Sequence, residues 1–526
     1  MLNREVLPLD AVRSDDLASD YGLLTWNLWF TSEAALRLES PYHTPLLFHP
    51  LGSNLAAHTL GPGFLPVGIL ARAVTGGRTD YPLVAHRLAI IGCFTLGMFL
   101  AHVALRALGA SSLAALAGAV GWTFAACWRL VVANQTLAAA CFLLPAVTLA
   151  VLALVRAPSA RRAGALAVLV ASSVYFSESY GPFIVVALAT AALAALSTPE
   201  GRASLRAISA SSTPREVAAV VAIGFLVGLP FLAAWMGSEG RPPTRRQVVT
   251  GGANLASYVL PDPIVTPLYR SETTARLRER VTRGRGPFLG IPTLVLAAVG
   301  AASTRGAIRR VLASLALVFL VLALGPVLRV LGTNTGVPLP YAALMQVPPF
   351  GFARDPQRLA VIGVWALVCL AALGLGAAAS VLKRRFGPAA GVGLGLLAVC
   401  WWAGEGYAPG SLPVRFTPPP ELLRLPEGAV ADVPLRITDG LAMFLQVFHG
   451  RPIVTGYVSR VSDRQFVHVL RLQKLLEEDL AGFAFEMRRL GVGTVLLHPG
   501  TSDETVAALG GTGLYVLDLR GEGVIP

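Results

Sequence analysis

Apolar residues run through this chain in long blocks, broken by short connections that hold most of the charge. Ten such blocks fall at 83–105, 111–128, 132–155, 163–179, 181–196, 216–235, 288–303, 311–330, 358–381 and 388–403. A helical block near 20 residues matches the hydrocarbon core of a bilayer, so the pattern predicts a predominantly α, polytopic membrane protein with about ten spans. Ahead of them, residues 60–71 are apolar but interrupted by Gly61, Pro62, Gly63 and Pro66, which suits a juxtamembrane helix better than a span. Beyond Trp401-Trp402 the pattern changes. After Pro418-Pro419-Pro420, strands are expected at 429–433, 452–458, 494–497 and 514–517, with helices near 464–480 and 502–509, a small α/β domain. The chain thus divides into a first loop with juxtamembrane helices (1–82), a transmembrane domain (83–403) and an α/β domain (404–526).

Composition sharpens this reading. With 54% hydrophobic and 14% charged residues and a mean hydropathy of +0.63, the chain is not a soluble globule. A net charge of +13 would suggest nucleic acid in a soluble protein. Here the basic residues sit in short connections, as the positive-inside bias expects, and a nucleic-acid partner is excluded. Counting back from Lys383-Arg384-Arg385 as cytoplasmic places Arg305/Arg309/Arg310, Arg202/Arg206/Arg215, Arg156/Arg161/Arg162 and Arg106 on the same side. The first loop and the C-terminal domain then face outward from an inner or plasma membrane. The same parity puts Met1 outside, so a membrane helix is expected to be missing ahead of it. Lysine appears only at Lys383 and Lys474; the arginines that supply the remaining charge suit phosphate recognition, although coding bias gives the same excess. Cys93, Cys127, Cys141, Cys369 and Cys400 all lie in apolar blocks, which argues against a disulfide framework or a cysteine metal site.

Residues 14–58 gather the chemistry. They hold Asp15, Asp16, Asp20 and Tyr21, then Trp26 and Trp29, then a Pro-rich run toward His58. On a helix, Asp16 and Asp20 share a face, where like charges repel unless a cation sits between them. That suggests a metal ligand or a base; acids favoured at a helix N-terminus and tryptophans anchoring at an interface are the plainer alternative. Glu178, at the end of a block, is a carboxylate near membrane depth. Two outward connections are long enough to be functional: 237–286, with Arg241, Arg245 and Arg246, and 332–357, with Arg354 and Asp355. Arg354 and Arg358 flank Pro356 at an outward helix start and, with Arg245, are candidates for bidentate phosphate binding; ordinary interfacial snorkelling is the alternative. His43, His49 and His58 have separations that fit no compact metal pattern. No Walker loop, dinucleotide fingerprint or internal repeat is present.

Several motifs in order resemble the GT-C-type integral membrane glycosyltransferases, and within them a large bacterial group. They are Asp20-Tyr21 with Trp26 and Trp29; Pro50-Leu51-Gly52-Ser53-Asn54 through His58-Thr59-Leu60-Gly61-Pro62; Leu324-Gly325-Pro326; and Thr335-Gly336-Val337-Pro338-Leu339-Pro340-Tyr341. Arg354-Asp355-Pro356-Gln357-Arg358 and His449-Gly450-Arg451-Pro452-Ile453-Val454-Thr455-Gly456-Tyr457 complete the series. The resemblance implies hexosyl or pentosyl transfer from a polyprenyl-phosphate sugar to a glycan, lipid or protein acceptor outside the membrane. It also implies that a first-loop aspartate acts as base or holds a divalent cation, Mg or Mn. Asp20 matches that position, with Asp16 as second choice, and Asp15, Tyr21, Glu178 and His58 supporting. The rival expectation is a non-catalytic membrane assembly or binding protein, or a lipid-linked-glycan transporter.

Overall fold

A computed structural model of the chain describes residues 11–12, 20–125, 135–238, 240–261, 269, 271–281, 287–348, 350–405, 414–416 and 418–520. After the short strand β1 (Ala11–Val12), the segment read as a loop forms a helix, α1 (Asp20–Leu36). It has no polar stripe because it is enclosed on nearly every side. Tyr21, Leu23, Leu24, Trp26, Leu28, Phe30 and Ala34 are each at most 5% exposed. The strands β2 (His43–Thr44) and β3 (Ser53–Asn54) pair antiparallel, and the Pro-broken segment becomes a 3-10 turn, Pro62–Phe64, followed by α2 (Leu65–Val74). Proline at the first helical positions explains this start, since its missing N–H is one that a helix leaves unpaired anyway.

The long apolar blocks follow as helices: α3 (Tyr81–Ala107), α4 (Ser112–Thr123), α5 (Gln135–Ala138), α6 (Ala140–Arg156), α7 (Ala160–Ser172) and α8 (Tyr180–Leu196). Next come α9 (Pro199–Ala210), α10 (Pro214–Met236), α11 (Arg245–Thr250), α12 (Glu272–Val281), α13 (Ile291–Ser303) and α14 (Gly306–Ala323). The strands β4 (Val327–Val330) and β5 (Thr333–Pro338), the short α15 (Tyr341–Leu344), α16 (Ala360–Phe386) and α17 (Pro388–Glu405) complete the series. Among the described residues, five helical stretches, Tyr81–Ala107, Thr136–Arg156, Pro214–Met236, Gly306–Ala323 and Pro356–Phe386, are long and apolar enough to cross a membrane, which makes this a multi-pass membrane protein. Others are shorter: the 12 residues of α4 rise about 18 Å against a core of about 30 Å. Two expected blocks end early. The 311–330 block turns at Leu324-Gly325-Pro326, where proline cannot continue the helix, and enters the β4–β5 hairpin. The 163–179 block stops at Ser172 and tightens into a 3-10 turn, Ser173–Tyr175.

α16 is the axis of the bundle, with α13, α14, α4 and α17 packed around it. At the α13–α16 crossing the backbones nearly touch. A Cβ on Gly374 would lie 2.1 Å from the Leu296 carbonyl oxygen, and one on Gly300 would lie 1.9 Å from that of Leu370. Small residues at such a crossing permit the close packing that holds helices together in lipid. Indole N–H groups join neighbouring helices: Trp122 to the Cys141 carbonyl at 2.7 Å, Trp365 to Thr148 Oγ1 at 2.9 Å and Trp402 to Thr293 Oγ1 at 2.8 Å.

Toward the C-terminus, β6 (Val414–Arg415) pairs with β1, and β7 (Ala429–Val433), β8 (Val492–Leu497) and β9 (Tyr515–Asp518) form a parallel sheet in that order. The expected strand at 452–458 is instead a single parallel bridge, Ile453 to Val430, after which the backbone leaves the sheet. Four helices surround the strands: α18 (Gly440–His449), α19 (Asp463–Glu478), α20 (Leu480–Arg489) and α21 (Asp503–Gly510). α18 and α20 were not anticipated. α18 is apolar along most of its length because it lies against α1, and the two share one core with Tyr42, Phe48 and Phe416. Within that contact Trp26 Nε1 donates to Gln446 Oε1 at 2.6 Å, and Gln446 Nε2 donates to the carbonyls of Leu46 at 2.8 Å and Arg451 at 2.7 Å. Every polar atom of the buried amide is used, as burial requires.

Candidate active site

A cavity of about 590 Å³ opens where α7, α8 and α10 converge beneath the loop that precedes α16. Val174, Phe183, Val186, Phe231, Leu232 and Trp235 line its apolar flanks, and Thr59, Glu178, Arg354, Asp355, Arg358, Ser459 and Arg460 gather in its polar part. The volume lies within the range of small-molecule sites, roughly 300–1,000 Å³.

The polar end is built from backbone outward. At the end of α11, a Cβ on Gly251 would meet the Arg354 carbonyl oxygen at 2.1 Å, so only glycine admits this approach. Gln357 N donates to the Gly251 carbonyl at 3.2 Å and pins the turn. Asp355 then sits between two guanidinium groups, 3.6 Å from Arg354 Nε and 3.5 Å from Arg358 Nη2. Arg329, buried beneath, donates to the Thr250 carbonyl at 3.1 Å and the Gly252 carbonyl at 3.4 Å. The pair of arginines is thereby held on a rigid corner.

Asp20 is the first residue of α1 and is exposed. It is not part of the cavity lining; Tyr457 Oη donates to its Oδ1 at 3.1 Å. Burial first, then the charge of Asp20, pushes the Tyr457 hydroxyl up to about 12, against the opposing pull of Arg354 and Arg358. Tyr457 therefore touches Asp20 while lying in the field of the arginine pair.

The other candidates are distributed differently. Glu178 lines the cavity. Tyr21 is 2% exposed, its ring 4.5 Å from that of His86 and 5.4 Å from the Arg87 guanidinium carbon. Asp15 and Asp16 lie outside the described residues. Arg245 begins α11 on the surface and does not line the cavity. His58, 3% exposed, accepts at Nδ1 from the Ser459 backbone N–H at 3.0 Å, which leaves Nε2 to donate to Asn27 Oδ1 at 3.2 Å. Burial pushes its pKa down to about 3, so it is neutral and structural in its contacts. His49 bonds the Leu490 carbonyl at 2.8 Å, His43 lies in β2, and among the described residues no group of three His, Cys, Asp or Glu side chains is arranged to hold a metal.

Sequence reasoning passed over Arg460 and Ser459 and gave Thr59, Tyr457 and Asp355 no role. Tyr457 and Asp355 stand inside quoted motifs, and Arg460 follows three residues after one of them. The unused signal was that Arg354, Arg358, Glu178 and Asp355 all occur in or beside the ends of apolar blocks; Arg460 carries no such signal.

No family model and no curated protein matches the sequence. Among solved structures, the chain is similar to the cryo-EM structure of the arabinofuranosyltransferase AftD from mycobacteria, with a TM-score of 0.56 and 15% identity. The alignment covers 94% of this chain and 36% of that one, so the chain spans little more than a third of the neighbour's length. At that identity the likeness is one of fold alone.

Proposed function

We propose that this protein is a membrane glycosyltransferase that moves a hexosyl or pentosyl group from a polyprenyl-phosphate donor to an acceptor outside the membrane. One observation carries the reading: a single cavity joins apolar helix walls to a cluster of Arg354, Arg358 and Arg460 with Asp355 and Glu178. A lipid-linked sugar phosphate has the same division, an apolar chain next to an anionic, hydroxyl-rich head. The AftD neighbour, an arabinofuranosyltransferase, supports the same class of reaction.

The chemistry needs few groups. Asp20 takes the proton of an acceptor hydroxyl as its oxygen attacks the anomeric carbon; the bond from that carbon to the phosphate oxygen breaks, and polyprenyl phosphate leaves. Negative charge grows on the leaving phosphate, where Arg354 and Arg358 stabilise it. Glu178 accepts hydrogen bonds from the sugar. A divalent cation at Asp20 would require further ligands, and the described residues around it supply no such set, so the base role is derived without one. Transfer of radiolabelled sugar from polyprenyl-phosphate sugars into membranes tests the reading. Wild type should incorporate label and Asp20→Asn should lose at least 100-fold at equal abundance; equal incorporation by both would remove Asp20 from the chemistry. Absence of transfer by wild type across a broad donor panel would favour the assembly or transport reading.

A further inference from the structure

The backbone between the Ile453 bridge and α19 leaves the sheet and crosses from the C-terminal α/β region to the membrane cavity. Along residues 457–460 it brings Ser459 and Arg460 to the lining of that cavity and Tyr457 Oη to Asp20 beside it. We infer that this strap completes the donor site: Arg460 is a third ligand for the lipid phosphate, and Tyr457 is a positioning residue for Asp20. The inference rests on the glycosyltransferase reading and names the part of the chain that finishes its site.

The strap is held in place from several directions. Ser459 Oγ lies 3.1 Å from Thr59 Oγ1 and accepts from the Thr59 backbone N–H at 3.3 Å, while Ser459 N donates to His58. His58 in turn bonds Asn27 of α1, so the strap is tied to the helix that begins with Asp20. Tyr457 N approaches Met443 Sδ at 3.0 Å. On the far side, Gly240 leaves room for the Arg460 stem, since a Cβ there would meet Arg460 Cβ at 2.3 Å. Arg241 pairs with Asp463 just beyond the strap.

Charge gives Arg460 its role. Arg354, Arg358, Glu178 and Asp355 all act electrostatically on its guanidinium, and burial is the largest influence, holding it below its usual range. Among the described residues that line the cavity, three arginines stand together with two carboxylates. A sugar phosphodiester carries one negative charge; when the anomeric bond breaks, the monoester that leaves carries up to one more. A guanidinium that favours the monoester therefore favours the late stage of transfer. Tyr457 acts differently. Its hydrogen bond fixes an exposed carboxylate that would otherwise rotate freely at a helix start, so that Oδ2 remains for the acceptor proton.

The full chain in lipid nanodiscs should bind unglycosylated polyprenyl phosphate in native mass spectrometry. Arg460→Ala should weaken that binding about tenfold, and Arg460→Lys should recover part of it at the same melting temperature as wild type. Binding by Arg460→Ala equal to wild type would overturn the assignment. Inorganic phosphate at equal concentration should not displace the lipid; displacement would overturn the lipid assignment in favour of a simple anion site. In transfer assays, Tyr457→Phe should lower kcat about tenfold with KM unchanged and lipid binding intact, and wild-type turnover by this variant would overturn the positioning role. The two readings separate cleanly: Arg460-dependent lipid binding in a protein that transfers no sugar would sink the transferase and keep the phosphate site.

Discussion

His58 shows how a chemically versatile residue can be committed to structure. Its two nitrogens are used by Ser459 and Asn27, in a tautomer set by the Ser459 backbone donor. The folded state holds its pKa at about 3, below the ordinary value of 6.5, so the unfolded chain binds the proton more readily. Its contribution to stability is complete above pH 6.5 and is lost as pH falls toward 3, on the order of 5 kcal/mol over the whole window by linkage. Melting temperatures between pH 7 and 4 should fall more steeply in wild type than in His58→Gln; equal slopes would assign the acid sensitivity elsewhere. From sequence, His58 was a supporting residue of the site. Spacing along a chain says which residues are near one another, not which nitrogen is already engaged. The nearness of Arg354 and Arg358 to one another was legible because the motif carrying them is local. Arg460 was not, since its place in the cavity depends on a strap folding back across about 400 residues of chain.

Among elements, the helices of the bundle were the most readable, since a continuous apolar block has few alternatives in lipid. Their ends were less so: Pro326 halts α14 seven residues before the end expected at 330, because the hydropathy of β4 resembles that of a helix while its backbone does not. The extent of α1 within the first loop was not drawn, for the opposite reason. Periodicity reports a contrast between faces, and a helix buried against both the bundle and α18 has almost none. The α13–α16 crossing gives a direct test of packing. Gly374→Leu places a side chain where the Leu296 carbonyl already lies, and should cost about 3 kcal/mol or more by overpacking. The expected readout is a lower melting temperature in detergent with loss of the monodisperse fraction; a Leu variant as stable as wild type would mean the two helices separate more easily than their contact suggests.

At the scale of the molecule, the C-terminal sheet and the membrane bundle are joined through α1 rather than through a tether alone. Deleting 412–526 would strip α18 from α1, leaving Trp26 and Phe30 open and removing the Gln446 acceptor from the Trp26 indole. Such a truncation should lose folded protein in membranes as well as transfer, measured as the fraction that elutes as a single species. Full activity after the deletion would show that the strap and its partners are dispensable.

α10 packs chiefly along α7, and among its 23 residues only Gly228 is buried, although its inner side forms one wall of the cavity. Val221, Phe225, Leu226 and Leu229 on the same helix are open to the surroundings. Under the proposed transferase reading, a donor in that cavity would be walled on this side by a single helix whose back faces outward. Turnover should change when 18-carbon lipids are exchanged for 14-carbon lipids, and a cross-link between α7 and α10 should abolish that dependence. On that reading lipid composition would act on this protein as an adjustable boundary, setting how readily the cavity can widen.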